Sequence, residues 1–179
     1  MASGLFAVLV SGIQGTGKTT LARAIAQRFG VCAISRDPFM RSLAANGVPT
    51  SGVPDRGIPP VPALGYAMQT VMLEQQLMAG SSVVLECIMT GDIIHAWRKT
   101  CEEHDAQVVT VECICSDRGL HQQRVEDRYQ AGQSQITWEI AGRAPRSYRT
   151  IPEADYVADA VAPVEVHVHA IANLLPAQP

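Results

Sequence analysis

The chain has 179 residues, 47% of them hydrophobic and 17% charged, and 14 Lys and Arg against 17 Asp and Glu leave a net charge of −3. Those values predict one soluble globular domain over residues 1–179, long enough to bury a core without a disulfide or a structural metal. The acidic balance argues against a long nucleic-acid track, and Leu5 to Val10, the longest apolar stretch near the start, is too short for a membrane span and lacks the basic segment of a signal peptide, so a cytoplasmic location is expected.

Leu5 to Val10 reads as a strand buried on both faces, ending at Ser11 and a glycine-rich turn. Lys18 to Phe29 then carries Leu21, Ala22, Ile25, Ala26 and Phe29 at helical spacing, with Gly30 as its stop. Val31 to Ile34 reads as a second strand delivering Ser35, Arg36 and Asp37 to the sheet's end, and Pro38 opens a helix to about Ala45. Between Gly47 and Gly65 the sequence has five prolines and four glycines, which predicts a flexible loop on the substrate side.

Pro62 to Ala79 reads as a helix with Leu64, Ala67, Met68, Val71, Met72, Gln75 and Met78 on its core stripe. Ser82 to Cys87 is the third predicted strand, Gly91 to His104 a helix, Gln107 to Cys115 the fourth strand, and Asp117 to Tyr129 an arginine-bearing helix. A short helix is expected over Ser134 to Ala141 and a fifth strand over Tyr156 to Val161. Val164 to Leu175 fits either period. Helix is preferred because Pro163 suits a first turn and strands and helices alternate before it, which leaves His167 and His169 facing solvent. The five cysteines form no CxxC pair and fall mostly in apolar runs, as reduced core thiols would.

Gly12-Ile13-Gln14-Gly15-Thr16-Gly17-Lys18-Thr19 satisfies GxxxxGK[ST] between a predicted strand and a predicted helix. Glycines at those positions let backbone N–H groups turn inward around phosphate oxygens, the helix N-terminus adds positive potential, and Lys18 adds a point charge. Residues Gly12 to Thr20 are therefore the expected nucleotide-binding segment, with the Thr19 hydroxyl on Mg²⁺. Asparagine occurs only at Asn46 and Asn173, so no NKxD motif is present to read guanine, and ATP is the expected nucleotide. Lys18 and Lys99 are the sole lysines. The remaining basic residues are arginines, and a cluster of them from Arg118 to Arg149 suits phosphate binding.

With that loop, Ser35-Arg36-Asp37, Gly80-Ser-Ser-Val-Val-Leu-Glu86 and Arg124-Val-Glu-Asp-Arg128 in this order, the chain resembles small P-loop kinases of the zeta-toxin, chloramphenicol-phosphotransferase and polynucleotide-kinase group. The resemblance implies a three-layer α/β P-loop fold, a five-stranded mainly parallel sheet and a short arginine-bearing lid over residues 117–150. It implies transfer of the γ-phosphate of ATP to a hydroxyl of a small molecule, a metabolite or an antibiotic. A nucleic-acid 5′-hydroxyl is the lesser alternative, and a regulatory ATPase without an acceptor is the rival from another class. No membrane partner is expected.

By the same resemblance Asp37 is the general base, although Asp before Pro38 is also an N-cap signature and both roles can hold together. Lys18 and Arg128 are expected to act in catalysis and Arg124 to hold the nucleotide, the two arginines sharing one helix face. Arg118, Arg143 and Arg146 are weaker candidates. Arg36 either binds substrate or pairs with a carboxylate. Glu86 stands where the group usually has Asp, to bind substrate or position Mg²⁺ through water. The stretch Gly91 to Arg98 matches the group poorly, with Asp92, His95 or Arg98 in place of its expected arginine.

Overall fold

The structure, a computed structural model, describes residues 4–48, 61–134, 136–143 and 149–176. Most of the predicted 47–65 loop therefore lies outside the described residues, as does Arg146.

Strand β1 (Phe6–Ser11) is buried along its whole length. It pairs in parallel with β3 (Val83–Glu86) on one side and β4 (Gln107–Ile114) on the other. Strands β2 (Cys32–Ser35) and β5 (Tyr156–Asp159) form the edges, giving the all-parallel order β2-β3-β1-β4-β5. Central strands with no wet face must be apolar throughout, which is why Phe6 to Val10 and Val83 to Leu85 show no alternation.

Helices cover both faces, making three layers. Leu21, Ala22 and Ile25 of α1 (Lys18–Phe29) and Ile171 of α7 (Val164–Ala172) pack with Val8, Val10 and Val111 on one face. Leu73 and Leu77 of α3 (Val61–Met78) and Trp97 of α4 (Gly91–Glu103) pack with Leu9 and Leu85 on the other. The remaining helices, α2 (Arg36–Ala45), α5 (Arg118–Gln130) and α6 (Trp138–Ala141), stand around the sheet's carboxyl edge.

Several expectations are corrected. The buried stripe of α3 is Gly65, Gln69, Leu73 and Leu77, while Val71 and Met78 are 57% and 64% exposed. Nearly every turn of that helix is apolar, so hydrophobicity alone does not fix its phase. The phase is set by Gln69, whose amide donates to the Ile34 and Glu86 carbonyls at 3.0 and 3.2 Å and so ties α3 to the sheet. The helix starts at Val61, one residue before the expected Pro62, so the 47–65 loop does not extend to Gly65. The short helix begins at Trp138 and not Ser134.

His167 is buried, not solvent-facing. Its Nε2 bonds the Asp159 carbonyl at 2.8 Å and its Nδ1 the Tyr156 hydroxyl at 2.9 Å. A carbonyl only accepts, so Nε2 carries the proton and Nδ1 receives the tyrosine O–H. His169 is exposed as expected. Of the cysteines, Cys87, Cys101 and Cys113 are buried, Cys115 is intermediate and Cys32 is exposed on edge strand β2, and all five are free thiols.

Candidate active site

The loop from Gly12 to Gly17 leaves β1 at the sheet's carboxyl edge, where parallel α/β folds place their sites. Two of its glycines, Gly12 and Gly15, are required by space. A Cβ at Gly12 would overlap the Cys113 carbonyl, and one at Gly15 would lie 2.7 Å from Val125 and 2.9 Å from His121, both at positive φ. Thr16 Oγ1 donates to the Ile13 carbonyl at 2.8 Å, closing the loop on itself. Lys18 Nζ reaches the same carbonyl at 2.9 Å. Burial lowers the Lys18 pKa, with Glu86, Cys113 and Asp37 acting in the opposite direction and Arg128 adding to the fall.

Register carries Glu86 to the loop. It pairs with Val10 on β1 and with Ser35 on β2, so it shares the α1 face of the sheet. Its Oε2 accepts from Thr19 Oγ1 at 3.2 Å and Ser35 Oγ at 2.5 Å, with the residue 2% exposed. Thr19 and Glu86 thus form one oxygen-rich corner.

Ser35, not Asp37, occupies the cap position of α2, which begins at Arg36. Asp37 therefore sits exposed within the first turn, and the N-cap reading of it is not what the structure shows. Asp37 lines a cavity of about 540 Å³ together with Lys18, Thr19, Arg36, Glu86 and Arg128. On the other side of the loop a cavity of about 670 Å³ is bounded by Gly17, Thr20, Arg124, Arg128, Ala160 and Pro163. Arg128 belongs to both cavities, whereas Arg124 belongs to the second and donates to the Ala160 carbonyl at 3.3 Å.

Other candidates lie elsewhere. Arg98 bonds Thr110 Oγ1 at 3.3 Å and pairs with Asp155 at 3.6 Å, while Asp92 and His95 are exposed on α4; none of the three lines either cavity. Arg118 lies over the Trp138 ring at 5.4 Å, and Arg143 lines neither cavity.

Three residues escaped the sequence reading. His121 is buried, and its Nε2 donates to the Gln14 carbonyl at 2.6 Å, fastening α5 to the loop. Its spacing from Arg124, Val125 and Arg128 was the available signal, since all four share one helix face. Glu112, on the opposite face from Glu86, is 1% exposed and accepts from Thr150 N, Thr150 Oγ1 and Ile151 N. It holds down the segment that follows the lid, and no local pattern marks it. Arg41 lines the same cavity as Asp37 and stands four residues beyond it.

The family model AAA_33, described as an AAA domain, matches residues 8–145. The chain belongs to that family. Among curated proteins none matches the chain at a significant level. Among solved structures the AAA_33 chain is similar to a Chloroflexus aurantiacus protein described as a "putative kinase", with TM-score 0.73, 18% identity and 97% of both chains covered. It is similar to the Mycobacterium tuberculosis APS kinase CysC in complex with AMPPNP and APS, with TM-score 0.64, 14% identity, and 95% and 96% of the two chains covered. It is similar also to a gluconokinase from Sinorhizobium meliloti, with TM-score 0.57, 19% identity and coverage of 95% and 93%. These likenesses establish the fold of the AAA_33 chain as that of small P-loop kinases. No helix among the described residues is long and apolar enough to cross a membrane.

Proposed function

We propose that this protein is an ATP-dependent kinase that moves the γ-phosphate to a hydroxyl of a small molecule in the cytoplasm, a compartment suited to five free thiols. The observation that carries the reading is the pair of cavities meeting across the phosphate loop, with Arg128 in both. A transferase needs its donor and acceptor on opposite sides of the travelling group, with a cation where charge develops. The solved P-loop kinase folds, one bound to AMPPNP and APS, support the same assignment.

In this reading Gly12 to Thr20 cradle the phosphates, Arg124 borders the nucleoside side, and Lys18 and Arg128 compensate the charge of the transferred group. Asp37 orients the acceptor hydroxyl and takes its proton. Thr19 and Glu86 suit Mg²⁺, being hard oxygen donors at one corner, and among the described residues no cluster of three acidic, histidine or cysteine side chains offers a cage. Mg²⁺ when bound would neutralise phosphate charge. The longer arm of Glu86 is already engaged by Thr19 and Ser35, which favours the metal-side role over direct acceptor contact.

Incubating the protein with ATP, Mg²⁺ and a panel of hydroxyl compounds, with mass detection of a phosphorylated product, tests the proposal. ATP hydrolysis with no product from any acceptor, oligonucleotide 5′-ends included, would instead favour the regulatory ATPase.

A further inference from the structure

Arg36 opens α2 beside Asp37 and lines the acceptor-side cavity. Its side chain is built into the neighbouring helix. The guanidinium carbon lies 4.6 Å from the Tyr66 ring centroid, and a Cβ added at Gly65 would stand 2.8 Å from Arg36 Nε and 2.9 Å from Met40 Sδ. Glycine inside a helix is less favourable than alanine. At position 65 that cost goes with close approach, because any larger residue would push Arg36 out of its seat. Tyr66 is held in turn by its hydroxyl, which donates to the Ile88 carbonyl at 2.6 Å. A guanidinium laid on an aromatic face keeps its donors in the plane of the fork, the geometry that suits a carboxylate or phosphate edge.

Charge in the same cavity points the same way. Among the described residues Lys18, Arg36, Arg41 and Arg128 line it together with Asp37 and Glu86. The kinase reading assigns Lys18 and Arg128 to the triphosphate and Asp37 to the acceptor hydroxyl. Arg36 and Arg41 then bracket Asp37 on α2, with Met40 and Ala44 supplying an apolar wall alongside.

We infer that the acceptor carries an anionic group, phosphate, sulfate or carboxylate, that is bound by Arg36 in its Gly65–Tyr66 cradle with Arg41 at its side. The inference rests on the kinase reading of this site and names the acceptor class which that reading leaves open. A small-molecule acceptor then reaches Asp37 with its hydroxyl while its charged end fixes the approach.

The test fills the triphosphate site first. With a non-hydrolysable ATP analogue and Mg²⁺ at saturation, the full chain is titrated calorimetrically with inorganic sulfate, inorganic phosphate and acetate. Saturable binding of at least one anion is expected, and the tetrahedral anions against acetate distinguish the two kinds of charged end. Binding should weaken about tenfold or more in Arg36→Ala, the effect of losing a charge-assisted pair. It should weaken similarly in Gly65→Ala, which keeps every charge and displaces the guanidinium together with the Met40 sulfur beside it. Should either variant fail to fold, Arg36→Lys keeps the charge without the planar fork, and weakened binding is again expected. Normal analogue binding without saturable anion binding overturns the anionic-acceptor inference alone, as does anion binding unchanged in the variants. Failure of the wild type to bind the analogue overturns the kinase reading and this inference with it.

Discussion

Asp37 occupies the second position of α2 and lines the cavity it shares with Lys18 and Glu86, with Ser35 ahead of it at the cap. Asp37→Asn therefore removes a proton acceptor and a favourable charge at a helix N-terminus, but no capping bond. Stability should fall by only about 0.3–1 kcal/mol, the scale of a first-turn carboxylate on the helix dipole. Phosphoryl transfer should fall by roughly 10²-fold or more if the carboxylate is the general base. A thermal midpoint, an ATP titration and a transfer assay on one preparation separate the two effects, and near-normal transfer would remove Asp37 from the chemistry. Lys18 differs in kind. It is half-buried, with its pKa lowered chiefly by desolvation, so Lys18→Ala leaves phosphate charge uncompensated inside the loop. ATP affinity or turnover should drop sharply, and a calorimetric titration matching wild type with unchanged turnover would sink the phosphate-loop assignment. Both residues were legible in the sequence because each stands in a short contiguous motif. Glu112 was not, because its partners Thr150 and Ile151 lie far along the chain.

At the scale of elements, α5 is fastened where it starts and carries the two proposed lid arginines where it ends. His121 and Val125 press on Gln14 and Gly15, and Arg124 and Arg128 project from the same face over the two cavities. Arg128→Ala should lower turnover more than ATP affinity, because charge that develops in the transition state is felt only then. Arg124→Ala should damage ATP binding more, since Arg124 lines only the nucleoside-side cavity. Steady-state kinetics with a nucleotide titration decide this, and wild-type behaviour in both would end the lid assignment. His121→Ala strands the Gln14 carbonyl and should lose about 1–3 kcal/mol of stability. His121→Gln can still donate an N–H to that carbonyl and should recover part of the loss in the melting temperature. Equal loss in both variants would mean the imidazole is needed for packing against Trp138, whose ring centroid lies 5.1 Å away. The face of α5 could be read from spacing because its background is polar. The phase of α3 could not, because apolar residues surround that helix and the deciding contact is a polar one, from Gln69 to the sheet.

For the whole molecule, the alternation of strands and helices was readable from local period, but the order β2-β3-β1-β4-β5 is a matter of which strands meet. That order puts β3 and β4 on either side of β1, so Glu86 and Glu112 reach the phosphate-loop edge from opposite faces of the sheet. It also sorts the thiols. Cys87, Cys101 and Cys113 lie at or under the central sheet, each pushed up to about 12 by burial. The thiolate is the form that alkylates, so at neutral pH these groups are both closed off and protonated. Cys32 lies exposed on the edge strand, where no further strand among those described covers it. Alkylation by iodoacetamide under native conditions should therefore mark Cys32 first and Cys115 more slowly, and should reach the other three only through unfolding. Peptide mass mapping over time, repeated across a denaturant series, gives the check. Protection of the three core thiols should collapse together at the global transition, as expected when one cooperative core spans both faces of a sheet. Early labelling of Cys101 with Cys87 and Cys113 still protected would mean that α4 opens separately from the strands it covers.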